Sequence, residues 1–155
     1  MKMSRCSDVL KALEGKTLVT AESLTGGGIG AAVTAVSGAS AVYKGGVISY
    51  TNEVKHRILG VPQEILDRYG AVSRQTAEYM VSGIRKLLEA DVAVSVTGLA
   101  GPGGDEFGNP VGTVFVAYED KSQSAVKHCC FSGDREQIRN KTIEAALNLI
   151  LEMNK

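Results

Sequence analysis

The sequence lacks the features that mark several large protein classes. It has no surplus of either charge: 17 Lys and Arg stand against 17 Asp and Glu, for a formal net charge of zero. A protein that grips a phosphate backbone normally carries a basic surplus, so nucleic acid is not an expected partner. No run approaches the ~18 consecutive apolar residues of a membrane-spanning helix, so no membrane partner is expected either. The stretch from Met1 to Gly15 scatters charge along its length and has no apolar centre. It does not read as a signal peptide, and a cytoplasmic location is expected. The only cysteines are Cys6, Cys129 and Cys130, and an odd count with two adjacent members is not a disulfide framework. There are two histidines, His56 and His128, and no His/Cys/carboxylate spacing suggests a metal site. No metal and no cofactor are expected.

What remains is an ordinary globular composition of 155 residues, 44% hydrophobic and 22% charged, read as one domain over residues 1–155. A chain of this length buries about 70% of the surface it exposes unfolded and needs no staple to fold. Glycine is plentiful, at 18 residues, and clustered. Clusters mark places where the backbone turns sharply or approaches something closely.

Periodicity predicts helices over about 4–14, 29–36, 52–59, 62–69, 73–90 and 134–153, with strands over 17–21, 45–50, 91–97, 112–118 and 122–131. Ala77, Met80, Val81, Ile84, Leu87 and Leu88 step at helical spacing. Strands alternating with helices predict an α/β fold, a three-layer α/β/α domain around a mixed, mostly parallel sheet. The last two strands are expected to pair as an antiparallel hairpin. Asp134 with Gln137 has the spacing of a capping box.

Sites in open α/β sheets collect at the carboxyl ends of strands. Three such ends are polar or glycine-rich: Glu22 to Gly28, Tyr50 to Lys55, and Thr97 to Gly104. Within the first, Gly26-x-Gly28-x-x-Ala31 loosely matches a dinucleotide fingerprint. The acidic residue that should follow about 20 positions later is missing from Lys44 to Tyr50. Those glycines equally suit close helix packing. Ser23, between a strand and a helix, reads either as an N-cap or as a nucleophile facing amides near Thr25 and Gly26. Neither histidine looks like its base, which leaves Lys55, relayed through the Tyr50 hydroxyl, although Lys55 also reads as a surface helix lysine and Tyr50 as a core aromatic at a strand end. A lysine base must be largely uncharged, so burial or a nearby cation has to lower its pKa. Arg135 and Arg139, one turn apart at a helix start, read either as an anion site or as solvated side chains.

Six blocks then carry a resemblance. They are Ala21-Glu22-Ser23-Leu24-Thr25-Gly26-Gly27, Tyr50-Thr51-Asn52-Glu53-Val54-Lys55, Gly70-Ala71-Val72-Ser73, Thr97 to Gly104, Pro110-Val111-Gly112-Thr113-Val114, and Phe131-Ser132-Gly133-Asp134-Arg135. In this order they resemble the motifs of the CinA C-terminal domain family and cover about residues 17–139. The resemblance implies a three-layer α/β/α fold and nicotinamide-nucleotide amidase activity. That reaction is hydrolysis of the carboxamide of nicotinamide mononucleotide to nicotinate mononucleotide and ammonia. By motif, Ser23 is similar to the family's nucleophile, and Tyr50 and Lys55 to its activating pair. Thr25, Gly26, Gly27, Gly46, Asn52, Thr97, Gly98 and Gly101 are expected around the substrate, with Arg135 on its phosphate. A homodimer or larger homo-oligomer is also implied. The pyrophosphatase-type domain that precedes this one in some members has no counterpart here, so that activity is not expected. Leu24 stands where many members have Cys, and Asn109 where a Lys is common. From another class, a non-catalytic nucleotide-binding domain would share the same glycine loops. A nicotinamide-dinucleotide oxidoreductase is disfavoured by the missing acidic residue.

Overall fold

A computed structural model describes residues 2–155. Helices α1 (Lys2–Ala12), α2 (Gly28–Thr34), α3 (Asn52–Arg57), α4 (Gln63–Tyr69), α5 (Arg74–Leu87) and α6 (Arg135–Met153) alternate with strands β1 (Leu18–Glu22), β2 (Tyr43–Ile48), β3 (Val92–Gly98), β4 (Thr113–Glu119) and β5 (Ser124–Cys130). One sheet runs in the order β2-β1-β3-β4-β5. β1 pairs in parallel with both β2 and β3, while β3–β4 and β4–β5 are antiparallel. The sheet is therefore mixed, with a parallel core of three strands.

The two faces bury different residues. On one, Leu18, Val94, Val96, Val116 and Tyr118 pack under α1, α2 and α6, meeting Val9, Ile29, Ile138 and Leu147. On the other, Val19, Ala21, Ala93 and Ala117 pack under α5, meeting Ala77, Met80 and Ile84. The alanines on this second face let α5 lie close to the sheet, and the Ser95 hydroxyl donates to the Ala77 carbonyl at 2.8 Å. β1 and β3, covered on both faces, have almost no exposed residue, as parallel central strands require.

The helix starts follow local chemistry. Ser73 Oγ accepts the Thr76 N–H, and Thr51 Oγ1 accepts that of Val54. Asp134 and Gln137 form both halves of the capping box, at 2.9 and 2.8 Å. Several boundaries differ from expectation by a few residues, and the one that bears on the site belongs to β2. β2 begins at Tyr43 and ends at Ile48, so Tyr50 lies in the following loop. The register slips between Leu18 and Val19, leaving Lys44 without a partner on β1. The paired glycines Gly45 and Gly46 conceal the start of this strand, because glycine carries little strand signal.

No described helix is long and apolar enough to cross a membrane. Replacing Asp134 with Ala should cost about 1 kcal/mol through loss of the cap. That is a fall in Tm of roughly 2–4 °C for a domain of this size, measurable by scanning calorimetry. An unchanged Tm would show that the box contributes nothing.

Candidate active site

The parallel strands deliver their C-terminal ends to one rim, and β1 delivers Ser23 there. The hydroxyl does not cap α2: the residue in the cap position is Gly27, whose φ of 100° suits glycine. Ser23 is 6% exposed, and its N–H donates to the Val96 carbonyl at 3.2 Å. Its Oγ lies 3.0 Å from Lys55 Nζ.

Lys55 comes from α3 and is completely buried. Besides Ser23 it meets only backbone: the Ser49 carbonyl at 2.6 Å and the Tyr50 carbonyl at 3.2 Å. Among the described residues no carboxylate forms an ion pair with it. Burial without a counter-ion penalises the ammonium form and lowers the pKa from 10.5 to about 8.

The turn after Ser23 is held from two sides. The Glu22 carboxylate, 2% exposed, accepts the Thr25 hydroxyl at 2.5 Å and the Ile29 and Gly30 N–H groups at 2.9 and 3.0 Å. From α6, Arg139 donates to the Leu24 carbonyl at 3.0 Å and the Thr25 carbonyl at 3.2 Å. Arg139 is therefore neither an anion ligand nor a solvated side chain. The dinucleotide reading loses its anion donors: at the start of α2 the Ile29 and Gly30 amides are held by Glu22 and the Gly28 amide by the Thr25 carbonyl at 2.9 Å. Gly28 serves packing: a Cβ there would meet Ile143 Cδ1 at 2.7 Å.

Tyr50 is 58% exposed, and its hydroxyl accepts from Arg135 Nη2 at 3.1 Å. The phenol does not stand between Lys55 and Ser23, which touch directly. Arg135 also donates to the Gly101 carbonyl at 2.6 Å, closing one side of the mouth. The resulting pocket, about 290 Å³, brings together Ser23, Tyr50, Lys55, Thr97, Gly98, Gly101 and Arg135.

Five expected substrate contacts lie elsewhere. The Thr25 side chain is fully buried on Glu22, and the Gly26 N–H is committed to the Ser23 carbonyl at 3.1 Å, so neither lines the pocket. Gly27 and Gly46 line a separate hollow of about 190 Å³ between α2 and β2. The absent side chain of Gly46 admits the Thr20 and Tyr43 hydroxyls. Asn52 lines an adjoining pocket of about 420 Å³, which shares Ala71, Val72 and Leu99 with the Ser23 pocket. Asn109 braces that wall through the Val72 carbonyl at 3.1 Å and Asp105 at 2.8 Å. The histidines take no part: His56 Nδ1 is 2.7 Å from the Val61 carbonyl, and His128 stacks on Phe115. Sequence reasoning gave no role to Glu22. The available signal was a threonine three residues beyond it, at the mouth of a turn.

A family model for the CinA C-terminal domain matches residues 3–154. The chain belongs to that family. It is 48% identical over 132 residues to a CinA-like protein of Thermotoga neapolitana, covering 85% of this chain and 32% of the relative. It is 47% identical over 134 residues to a putative competence-damage inducible protein of Thermoanaerobacter pseudethanolicus, covering 86% and 32%. The chain thus spans about a third of the length of these curated relatives. Among solved structures, competence damage-inducible protein A (ComA) of Klebsiella pneumoniae superposes with a TM-score of 0.95 at 39% identity, covering 97% of this chain and 95% of that one. The competence/damage inducible protein CihA of Agrobacterium tumefaciens gives 0.96 at 37% identity, covering 99% and 96%. These likenesses fix family and fold.

The lowered Lys55 pKa has a stability consequence. Between about 8 and 10.5 the unfolded chain binds the proton and the folded chain does not, so this residue's contribution to stability rises with pH in that window. At pH 7 its buried charge is a net penalty. In urea unfolding, Lys55→Met should gain most over the wild type at pH 7, and its advantage should shrink by pH 10. A pH-independent difference would rule out a depressed pKa.

Proposed function

We propose that this chain is an amidohydrolase of the nicotinamide-nucleotide amidase type, acting on the carboxamide of nicotinamide mononucleotide. The observation that carries this reading is the contact between Ser23 Oγ and a buried lysine amine that lacks a counter-ion. An uncharged amine has two N–H bonds and one lone pair. The Ser49 and Tyr50 carbonyls take the two N–H bonds, which leaves the lone pair for the serine proton. With the pKa near 8, roughly a tenth of the molecules hold the free amine at pH 7. At the ordinary lysine value it would be fewer than about one in a thousand. The base thus serves at neutral pH because it is dry.

Ser23 Oγ attacks the carboxamide carbon while Lys55 accepts its proton. The tetrahedral intermediate collapses with cleavage of the C–N bond. Lys55 returns the proton to the departing nitrogen, and ammonia leaves. Water then attacks the acyl-serine with Lys55 again as base, freeing the carboxylic acid and regenerating the hydroxyl. Arg135 at the mouth suits the phosphate, where its guanidinium can form charge-assisted bonds, and Tyr50 lies against it. The Ser23 pocket with its neighbour offers the space of a small-molecule site.

Purified protein incubated with nicotinamide mononucleotide should release ammonia. Ser23→Ala should reduce that rate by about 10³-fold or more while leaving Tm close to wild type. Saturable nucleotide binding without ammonia would instead mark a binding domain. The rate should rise with pH through about 8 and then level, because the deprotonated amine is the working form. A rate that falls over pH 7–9 would remove Lys55 as the base.

A further inference from the structure

Among the described residues α3 buries a single side chain, Lys55, so no apolar face of its own seats this helix on the domain. It is held by what flanks it. On its N-terminal side the Ser49 and Tyr50 carbonyls meet the amine, and the Ser49 N–H donates to the Glu22 carbonyl at 2.7 Å. On its C-terminal side the turn over residues 59–61 sinks under α5. Leu59 is 3% exposed and Val61 fully buried, in one apolar layer with Met80 and Ile84. The Val61 N–H donates back to the Lys55 carbonyl at 3.1 Å, which ties the turn to the residue that carries the amine. Where this turn meets α5, the helix carries Gly83. Glycine inside a helix is unfavourable, so its presence there needs a reason. The reason is steric: a Cβ at this position would stand 2.9 Å from the Leu59 carbonyl carbon and closer still to its oxygen. Both are backbone atoms, which no change of rotamer moves aside, and a close-packed interior transmits such an intrusion.

We propose that Gly83 is a positioning residue for Lys55: its missing side chain lets the Leu59 carbonyl rest against α5 and so fixes how far α3 carries the amine toward Ser23. An added methyl must push the turn outward, and the hydrogen bond from Val61 to Lys55 passes that displacement to the lysine. The 3.0 Å contact with Ser23 Oγ then lengthens, and water reaches an amine that is dry in the wild type. Among the described residues that border the same pocket, the other titratable or charged side chains are Tyr50 and Arg135, which meet at its mouth, and burial governs the protonation of the amine. The expected loss of rate rests on the amidase reading, whereas the seat itself does not.

Isotopic labelling of the lysine ε-carbons lets NMR follow the titration of each lysine, with Lys55→Met assigning the signal. In the wild type Lys55 should titrate at about 8, and in Gly83→Ala closer to the ordinary 10.5. With nicotinamide mononucleotide, kcat of Gly83→Ala at pH 7 should fall about 10- to 100-fold, the share of free amine that such a rise removes. KM should stay within about twofold, and the deficit should narrow toward pH 10. Val9→Ala opens a cavity on the opposite face of the sheet and supplies a destabilised control, in which the Lys55 titration should match the wild type. Should Gly83→Ala not fold, Leu59→Ala decides in its place: it loosens the same seat without adding an atom and must move the titration in the same direction. A Lys55 titration unchanged in the folded variant, or moved equally in Val9→Ala, would overturn the proposal. A wild type that releases no ammonia refutes the amidase reading, and the NMR titration still decides the seat.

Discussion

A lysine with no accessible surface and no carboxylate opposite it is the constraint on which the rest of the site depends. Its cost falls on the fold, and under the proposed amidase reading its benefit falls on the chemistry, with one physical cause behind both. Withdrawing the amine from water destabilises the ammonium form. The same withdrawal would give a serine a usable base without histidine. The surroundings fit this reading closely: two backbone carbonyls and one hydroxyl match the donors and single lone pair of a neutral amine. A carboxylate in place of either carbonyl would restore the charge and remove the base.

Around that point the domain concentrates its backbone irregularity. The sheet core is regular, with β1 and β3 buried on both faces. Where β1 ends, a carboxylate and a guanidinium from opposite sides hold the turn. The buried Glu22 is satisfied by a hydroxyl and two amides rather than by a cation. Neutral donors suffice because they converge at a helix start, where amides have no partners of their own.

Much of this was legible in the sequence. Hydrophobic periodicity identified the six α-helices and five strands of the described residues, and the Asp134–Gln137 spacing identified the capping box of α6. The convergence of Ser23 and Lys55 followed from motifs at strand ends. Three things were not legible, for related reasons. Glycine clusters report that something comes close to the backbone and not what it is, so Gly27 and Gly46 read as ligand contacts where the neighbours are protein. Arg139 was correctly placed at the start of α6, but spacing along a helix cannot tell a phosphate acceptor from a carbonyl brought in from a distant turn. The Tyr50 relay assumed a phenol pointing inward. β2 ends two residues earlier, so the Tyr50 backbone meets the amine and the ring lies at the rim.

The contact between Arg139 and Leu24 joins residues 115 positions apart in sequence. The loop bearing the Ser23 hydroxyl thus takes its final shape only once a helix made much later in translation has docked. On a ribosome, a nascent chain would display Ser23 long before the Arg139 contact could form. The geometry around Ser23 is thus a property of the finished molecule, and partly synthesised or partly unravelled chains lack it.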